Sequence, residues 1–472
     1  MDKVIQRALN AKPYFIVFLI TAFWFFTENH HELISNYQAF LGLSIIALGA
    51  LPSFIHLINA EESRLIPLVP LHGLSYSIAY GIPIFVEKTN WFNSSTEAIN
   101  HSLVLTIVGL VMLYIGYYGA RHLLPAFRPI RFSSYSSCGD RHLFFLCVAL
   151  FVISMLFEFS PLLRSIPSLN QIAVPTGFLS FGILFVLHIT NRLRSWERTI
   201  FIGTTVFSIL VKLVSGLLAL PFFVLMFFSI LYWQMRKKIL WLPILLICST
   251  AIILQPVKDQ FRALTWYGES VNIGHYEKLK IFTEVGVEYY LAKSQSAEGA
   301  NIEFDSLADR LAHIATFSVV VADTPQSVPY WNGETYKNLL TKFIPRFLWQ
   351  DKPREEYGLN FGHRYGFLDW DDEITSVNMP WLPEFYANFG WKGVVFGMFF
   401  VGVLFRYFMM IYNNHDSVVD MVAGLAICFR LGFPESNLSM MLGGIVTYTA
   451  FLFVLLRMLT IKRRDQVVLY ER

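Results

Sequence analysis

Charge is scarce in this chain. Asp, Glu, Lys and Arg make up only 15% of its 472 residues, against 55% hydrophobic and 16% aromatic. An ordinary soluble domain carries about 25% charged residues. The deficit excludes a soluble globular enzyme and indicates a polytopic membrane protein. An excess of one sign is missing too. The net charge of +3 leaves no basic footprint, so no nucleic-acid partner is expected. Cysteine is rare: Cys138, Cys147, Cys248 and Cys428 show no CxxC spacing, and three of them sit inside apolar runs. That pattern predicts membrane-buried thiols and excludes a disulfide framework or zinc site. HExxH, an early paired-Asp motif and a His/Cys cluster are all absent, so neither metal nor cofactor is expected. No internal repeat or low-complexity tract is found. No cleavable signal is read before residues 14–26, which are expected to act as a start-transfer helix.

What the chain has instead is long apolar runs. A helix crossing the hydrocarbon core needs about 20 apolar residues. Such runs fall near 13–28, 38–59, 66–86, 101–120, 142–159, 172–190, 198–214, 217–234, 239–256, 391–412, 417–434 and 438–459. The expected fold is an all-α membrane bundle of about twelve transmembrane helices with one large, mostly helical outer loop. Helices one to nine occupy 1–256, the loop 257–390, and helices ten to twelve with a cytoplasmic tail 391–472. Connecting segments alternate in charge. Lys3, Arg7 and Lys12, then Arg121, Arg128, Arg131 and Arg141, then Arg192, Arg194 and Arg198, then Arg236 to Lys238, then Lys462 to Arg464 fall on one side. The positive-inside rule makes that side cytoplasmic, with both termini inside and the large loop outside.

That loop is the one long polar excursion. Residues 256–390 hold 19 Asp and Glu against 12 Lys and Arg, and their aromatics are too many for a disordered linker. Asp305 is a candidate N-cap for a helix from Ser306 to about Val321, ended by Asp323-Thr324-Pro325.

A Lys or Arg placed within a span is costly and marks a functional site by default. Lys212, Lys258, Arg262 and Arg430 thread to one depth at the outer ends of spans, as does Arg164 in the loop after span five. Each alone could snorkel to lipid phosphates. As a set on an otherwise acidic face, they point to a buried anion, a lipid-linked phosphate or pyrophosphate that Arg forks and Lys point charges suit. Arg406, nearer the cytoplasm, is assigned to structure or snorkelling.

Within the loop, Arg310 and His313 are three apart, one helix face on the predicted helix, and offer an anion clamp beside a proton acceptor. Arg346 flanks Trp349 in residues 345–353. Trp331, Trp349 and Tyr386 are candidates to stack on sugar rings, although a packed loop core with Arg–Asp ties accounts for such aromatics equally well. Glu384 stands at re-entry into the membrane, as general base for a sugar hydroxyl or as helix cap.

The sequence order is many spans, Lys258 and Arg262 leaving a span, Arg310 with His313, Tyr330-Trp331-Asn332-Gly333, Ile344-Pro345-Arg346, Trp349-Gln350-Asp351-Lys352-Pro353, then Glu384 with Asn388-Phe389-Gly390. It resembles the Wzy-type O-antigen polymerases, which join oligosaccharide repeat units. The resemblance is carried by about 255–395, and the Pro-Arg…Trp…Asp-Lys-Pro run is its most specific piece.

It implies a GT-C-like membrane glycosyltransferase of the bacterial inner membrane that moves a glycan from undecaprenyl pyrophosphate onto a lipid-linked repeat unit. Transfer would be metal-independent and inverting. Its partners would be the undecaprenyl-pyrophosphate-linked oligosaccharides, membrane lipids and a chain-length regulator. Arg262, Arg310, Arg346 and Arg430 are the arginines offered to the pyrophosphate, helped by Lys212 and Lys258, with His313 or Glu384 as the base. Lys212 departs from the pattern, since an arginine is expected there. The rival readings are an O-antigen ligase, which shares the donor, and a lipid-linked oligosaccharide flippase, which the lone loop and lack of repeats disfavour.

Overall fold

The computed structural model describes residues 35–459 except 60, 87–90, 93, 126, 134–138, 161–162, 164–168, 215–218, 239, 241, 243, 247–248, 250–253, 255–256, 259, 262–263, 266–274, 296–310, 345–348, 350–355 and 374, with the side chains of 158–159, 169–175, 212–214, 219–221, 275–276, 293–295 and 343 also left undescribed. The described elements are helical, with no strand among them. In chain order they are α1 (Asn36–Ile58), α2 (Leu68–Tyr76), α3 (Thr96–Leu123), α4 (Asp140–Phe159), α5 (Leu169–Ile189), α6 (Ser195–Val214), α7 (Ala219–Arg236), α8 (His275–Gln295), α9 (His313–Asp323), α10 (Tyr357–Arg364), α11 (Trp381–Tyr412), α12 (Val418–Phe429) and α13 (Leu438–Leu459). Six of the described helical segments are long and apolar enough to cross a membrane: α1, Leu68–Phe85, α3, Asp140–Phe157, α11 and α13. The chain is an all-helical membrane protein.

Local chemistry sets several helix starts. Ser35 and Gln38 form a reciprocal capping box before α1, Ser95 accepts from Ala98 N before α3, and Ser417 accepts from Asp420 N before α12. Each satisfies a first-turn N–H that the helix itself cannot pair. Asp420, almost fully buried, also accepts from Phe132 N (2.7 Å), Ser133 N (2.9 Å) and Ser133 Oγ (2.7 Å), which fastens the α3–α4 connection to α12.

The basic connections among the described residues gather on one face. Arg121 pairs with Glu61 at 2.7 Å, Arg131 with Asp416 at 2.7 Å, and Arg192 with Asp140. Arg236 donates to Ile189 O (2.6 Å), Lys237 to Ser63 O, and His142 lies 3.0 Å from Leu459 O. Arg406 pairs at 3.3 Å with the buried Glu62, which also accepts from Tyr117 Oη at 3.2 Å. Its role is structural. On the opposite face, Ser318 Oγ donates to Ser94 Oγ at 2.8 Å and Phe92 meets Phe367 at 5.2 Å.

Three helices are broken. Leu68–Phe85, expected as one span, is α2 followed by a π turn, Ser77–Gly81, and a 3₁₀ turn, Ile82–Phe85. The expected span 417–434 is the shorter α12 with a 3₁₀ turn, Arg430–Gly432. In α11, Gly390 has φ 63° and ψ −153°. A Cβ on Gly393 would strike the Phe385 carbonyl oxygen. Residues eight apart in a straight helix lie about 12 Å apart along its axis, so the chain folds back at Gly390. The second limb, from Trp391, is about 33 Å long and can span alone. It shows lipid-type side chains outward, with Trp391, Phe396 and Phe400 exposed. The first limb is enclosed: Trp381, Leu382, Glu384, Ala387 and Asn388 are each 0% exposed. The final residues of the expected outer loop are therefore core.

Two further expectations change. The helix expected from Ser306 to about Val321 is interrupted at Ala312 (φ −73°, ψ 65°), between the helical Leu311 and the start of α9 at His313. Ser306 to Arg310 lie outside the described residues. Polar α8 was not anticipated.

Glycines close the central packing of α3 against the second limb. A Cβ on Gly116 would strike Phe399 O, and one on Gly402 would strike Leu113 O and come within 2.7 Å of Tyr117 N. Both obstacles are backbone and cannot swing away. Gly402→Val is expected to destabilise the fold by about 3 kcal/mol or more, read as a lowered melting temperature and loss of monodisperse protein in detergent.

Candidate functional site

The site is built where the first limb of α11 meets the break before α13. Pro380 and Pro383 lie at the limb's start, where a missing N–H costs nothing. Asn388 then ties the limb to a tight turn at 331–336. Its Oδ1 accepts from Gly333 N (2.9 Å), and its Nδ2 donates to Thr335 Oγ1 (3.0 Å) and Glu384 O (2.8 Å). Trp331 N donates to Ala387 O at 2.9 Å. Gly333, at φ 84°, supplies the left-handed residue that the turn requires. On the other side, Trp381 Nε1 donates to Ser436 O at 3.0 Å.

Between these anchors sits Glu384, fully buried. Its Oε2 accepts from Leu438 N at 2.7 Å, so the carboxylate caps α13, where N–H groups and the helix dipole favour negative charge. The cap role considered for Glu384 is real, but the capped helix is α13 and not α11. Thr335 and Tyr336 stand close enough to act on Glu384 as side-chain hydrogen-bond partners, although neither Oε1 nor Tyr336 Oη reaches full hydrogen-bond geometry. The two groups nevertheless sense each other. Burial, then the Glu384 charge, pushes the Tyr336 phenol well above its ordinary range. Lys342 is near enough for its charge to act on Glu384. The Lys342 stem crosses Gly443 of α13, and its Nζ lies 5.6 Å from the Tyr357 ring centre.

Next to the residues that hold this carboxylate lies a groove of about 390 Å³, whose wall does not itself include Glu384. Tyr336, Leu438 and Phe385 line it with Phe396, Phe400 and Leu442, and its wall is almost wholly apolar. It therefore runs along the lipid-type face of α11, between α11 and α13. Lys392, exposed, also lines it. A buried carboxylate thus stands behind Tyr336 and Leu438 in the wall of an apolar slot that Lys392 also lines, with Lys342 near the carboxylate. Such a slot suits an amphiphile whose polar head reacts while its chain lies in hydrocarbon.

The other expected residues are distributed as follows. His313 opens α9 against Tyr80, ring centres 6.0 Å apart. Burial lowers it to about 4, which leaves a neutral and weak base near neutral pH. Arg430 is exposed at the end of α12 and makes no ion pair with a described residue. No hydrogen bond joins His313 or Arg430 to Glu384. Lys258 is 1% exposed. Arg262, Arg310 and Arg346 lie outside the described residues, as does the side chain of Lys212.

Of the sugar-stacking candidates, Trp331 is 5% exposed, with the Arg364 guanidinium 4.3 Å over its ring and Arg364 paired to Glu334. Its stacking face is already taken. Tyr386 is 6% exposed and packs on Phe317. Both serve the core, because an aromatic gains more from close packing than from an open face. Trp349, at 37%, keeps an accessible ring. Tyr336, Lys392 and Leu438 were not anticipated. Lys392, a charge two residues past Gly390 in an apolar run, was the available signal.

Among the described residues no group of three or more His, Cys, Asp or Glu could hold a metal, and Cys147 and Cys428 are buried free thiols. No curated protein and no solved structure matches the chain. Residues 128–417 match a family model described as a domain of unknown function, DUF8712. The match covers more than half of the sequence, including the whole of the expected loop and the limb that carries Glu384, and the chain belongs to that family.

Proposed function

We propose that the chain is a membrane glycosyltransferase that joins undecaprenyl-pyrophosphate-linked repeat units into a surface polysaccharide at the outer face of a bacterial inner membrane. The observation that carries this reading is the fully buried carboxylate of Glu384, held by Leu438 N with Tyr336 beside it, where both neighbours line a lipid-facing apolar groove. The bias of Lys and Arg toward one face supports a cytoplasmic location for that face and both termini, and an outer location for the polar residues before α11. A count of twelve spans, being even, would put both termini on that face.

In the proposed reaction, the donor's isoprenoid chain lies between α11 and α13 while its pyrophosphate meets Lys342, Lys392 and Arg430. The acceptor hydroxyl attacks the anomeric carbon, and the bond from that carbon to the pyrophosphate oxygen breaks with inversion. Glu384 takes the hydroxyl proton, and the leaving pyrophosphate keeps the bonding electrons beside the cations, where fixed positive charge stabilises the transition state. Arg262, Arg310, Arg346, Lys212 and Lys258 remain candidates for the same clamp, and Trp349 for sugar stacking.

Filling the groove tests this reading. Leu442→Trp is expected to cut transfer at least about tenfold, chiefly through a raised KM, with an unchanged melting temperature. Wild-type kinetics from a folded Leu442→Trp protein would remove the groove from the reaction.

A transporter of the same lipid-linked glycans is the second reading. The helix breaks at Ser77–Gly81, Gly390 and Arg430–Gly432 favour it, since discontinuous helices line many transport sites.

A further inference from the structure

The inner face of α2 carries a column of polar aromatic groups that the proposed transfer does not use. His72, Tyr76 and Tyr80 are four residues apart, and the π turn at Ser77–Gly81 starts just after Tyr76 and contains Tyr80. Such turns recur at functional sites. His72 and Tyr76 are 0% exposed and Tyr80 1%. Their rings are contiguous: His72 to Tyr76 is 4.6 Å, Tyr76 to Tyr80 is 4.8 Å, and Tyr80 to His313 on α9 is 6.0 Å.

Their polar atoms are poorly satisfied. His72 Nδ1 lies 3.3 Å from Leu431 O. A carbonyl only accepts, so the neutral ring carries its proton on Nδ1 and leaves Nε2 as a bare acceptor. Nε2 has no partner among the described residues, and neither has Tyr80 Oη. Tyr76 Oη has only Met398 Sδ at 3.8 Å, a weak acceptor. Buried polar groups left unpaired are costly, and most where no membrane water can reach them. Aromatic packing alone would be served better by phenylalanine at 76 and 80.

We infer that His72, Tyr76, Tyr80 and His313 form a proton path, completed by internal water, from the α9 face of the bundle to Nε2 of His72. A proton arriving at His313 passes to Tyr80 as Tyr80 releases its own toward Tyr76. Tyr76 then protonates His72 Nε2, and each hydroxyl regains the proton that it gave. The imidazolium so formed is held by ring faces, with Trp381 stacked at 5.1 Å and Tyr76 at 4.6 Å, and by the Phe405 ring at 5.1 Å. Aromatic faces attract such a cation. The titratable groups facing the column are Tyr76 and Tyr80 on its own segment, Tyr114 from α3 and His313 from α9; α11 contributes Trp381, Met398 and Phe405.

The test is nitrogen-15 NMR of the histidine rings in the full chain in lipid nanodiscs, from about pH 8 to about pH 5. Exchange of the His72 ring N–H with water is expected to slow at least about tenfold in Tyr80→Phe and in Tyr76→Phe. Both variants keep ring shape and lose only a poorly bonded hydroxyl. Exchange unchanged in both variants would leave aromatic packing alone and overturn the path.

Discussion

Glu384→Gln is expected to lower glycosyl transfer by about 10²- to 10⁴-fold, the usual worth of a positioned general base, while the protein stays folded. Glutamine keeps the shape of the side chain, and its carbonyl oxygen can still accept from Leu438 N, now at 2.7 Å. The cap on α13 survives, and what disappears is the ability of the second oxygen to take a proton. The bland reading makes the opposite forecast. If the carboxylate only caps α13, the amide variant transfers at close to the wild-type rate. Glu384→Ala is a poorer probe, because it removes the cap and leaves a cavity together. Initial rates with lipid-linked substrate, beside a thermal melt of each variant, separate the two roles.

Gly390→Ala is expected to destabilise the protein by about 2 kcal/mol or more and to abolish transfer even where some protein folds. Gly390 holds φ 63° and ψ −153°, a conformation essentially restricted to glycine. An added Cβ would also lie 2.8 Å from the Tyr330 hydroxyl. Relief requires the two limbs of α11 to open, which pulls Glu384 from Leu438 and Asn388 from Gly333. Thermal melts and transfer rates read the effect. A variant with normal stability and activity would show that the fold-back does not position the site.

Much of the bundle was legible in the sequence. The runs at 38–59, 101–120, 142–159, 391–412 and 438–459 correspond to α1, α3, α4, the second limb of α11, and α13, because long apolar runs have few alternatives in a bilayer. The Lys and Arg clusters on the described connections anticipated which of those helix ends share a face; the clusters at 3–12 and 462–464 lie outside the described residues. Breaks were harder to read. Residues 380–389 hold two prolines, Pro380 and Pro383, with a glutamate and an asparagine, and resemble a loop until their packing encloses them. Polar α8 has no apolar stripe to announce it.

The site was legible in part for the same reason. Glu384 and Asn388 stood out as polar residues at re-entry into the membrane. Tyr336, Leu438 and Lys392 gained meaning only through the fold-back, which brings together segments far apart in sequence. Trp331 misled because local composition cannot tell whether an aromatic face is open or covered by Arg364.

The most direct measurement is reconstitution of the purified full-length chain in lipid vesicles with an undecaprenyl-pyrophosphate-linked repeat unit, with products read by mass spectrometry. The account predicts a ladder of products spaced by one repeat unit, with release of undecaprenyl pyrophosphate and no ladder from Glu384→Gln. Movement of the intact lipid-linked unit across the bilayer with no chain growth would contradict it and establish a transporter in its place.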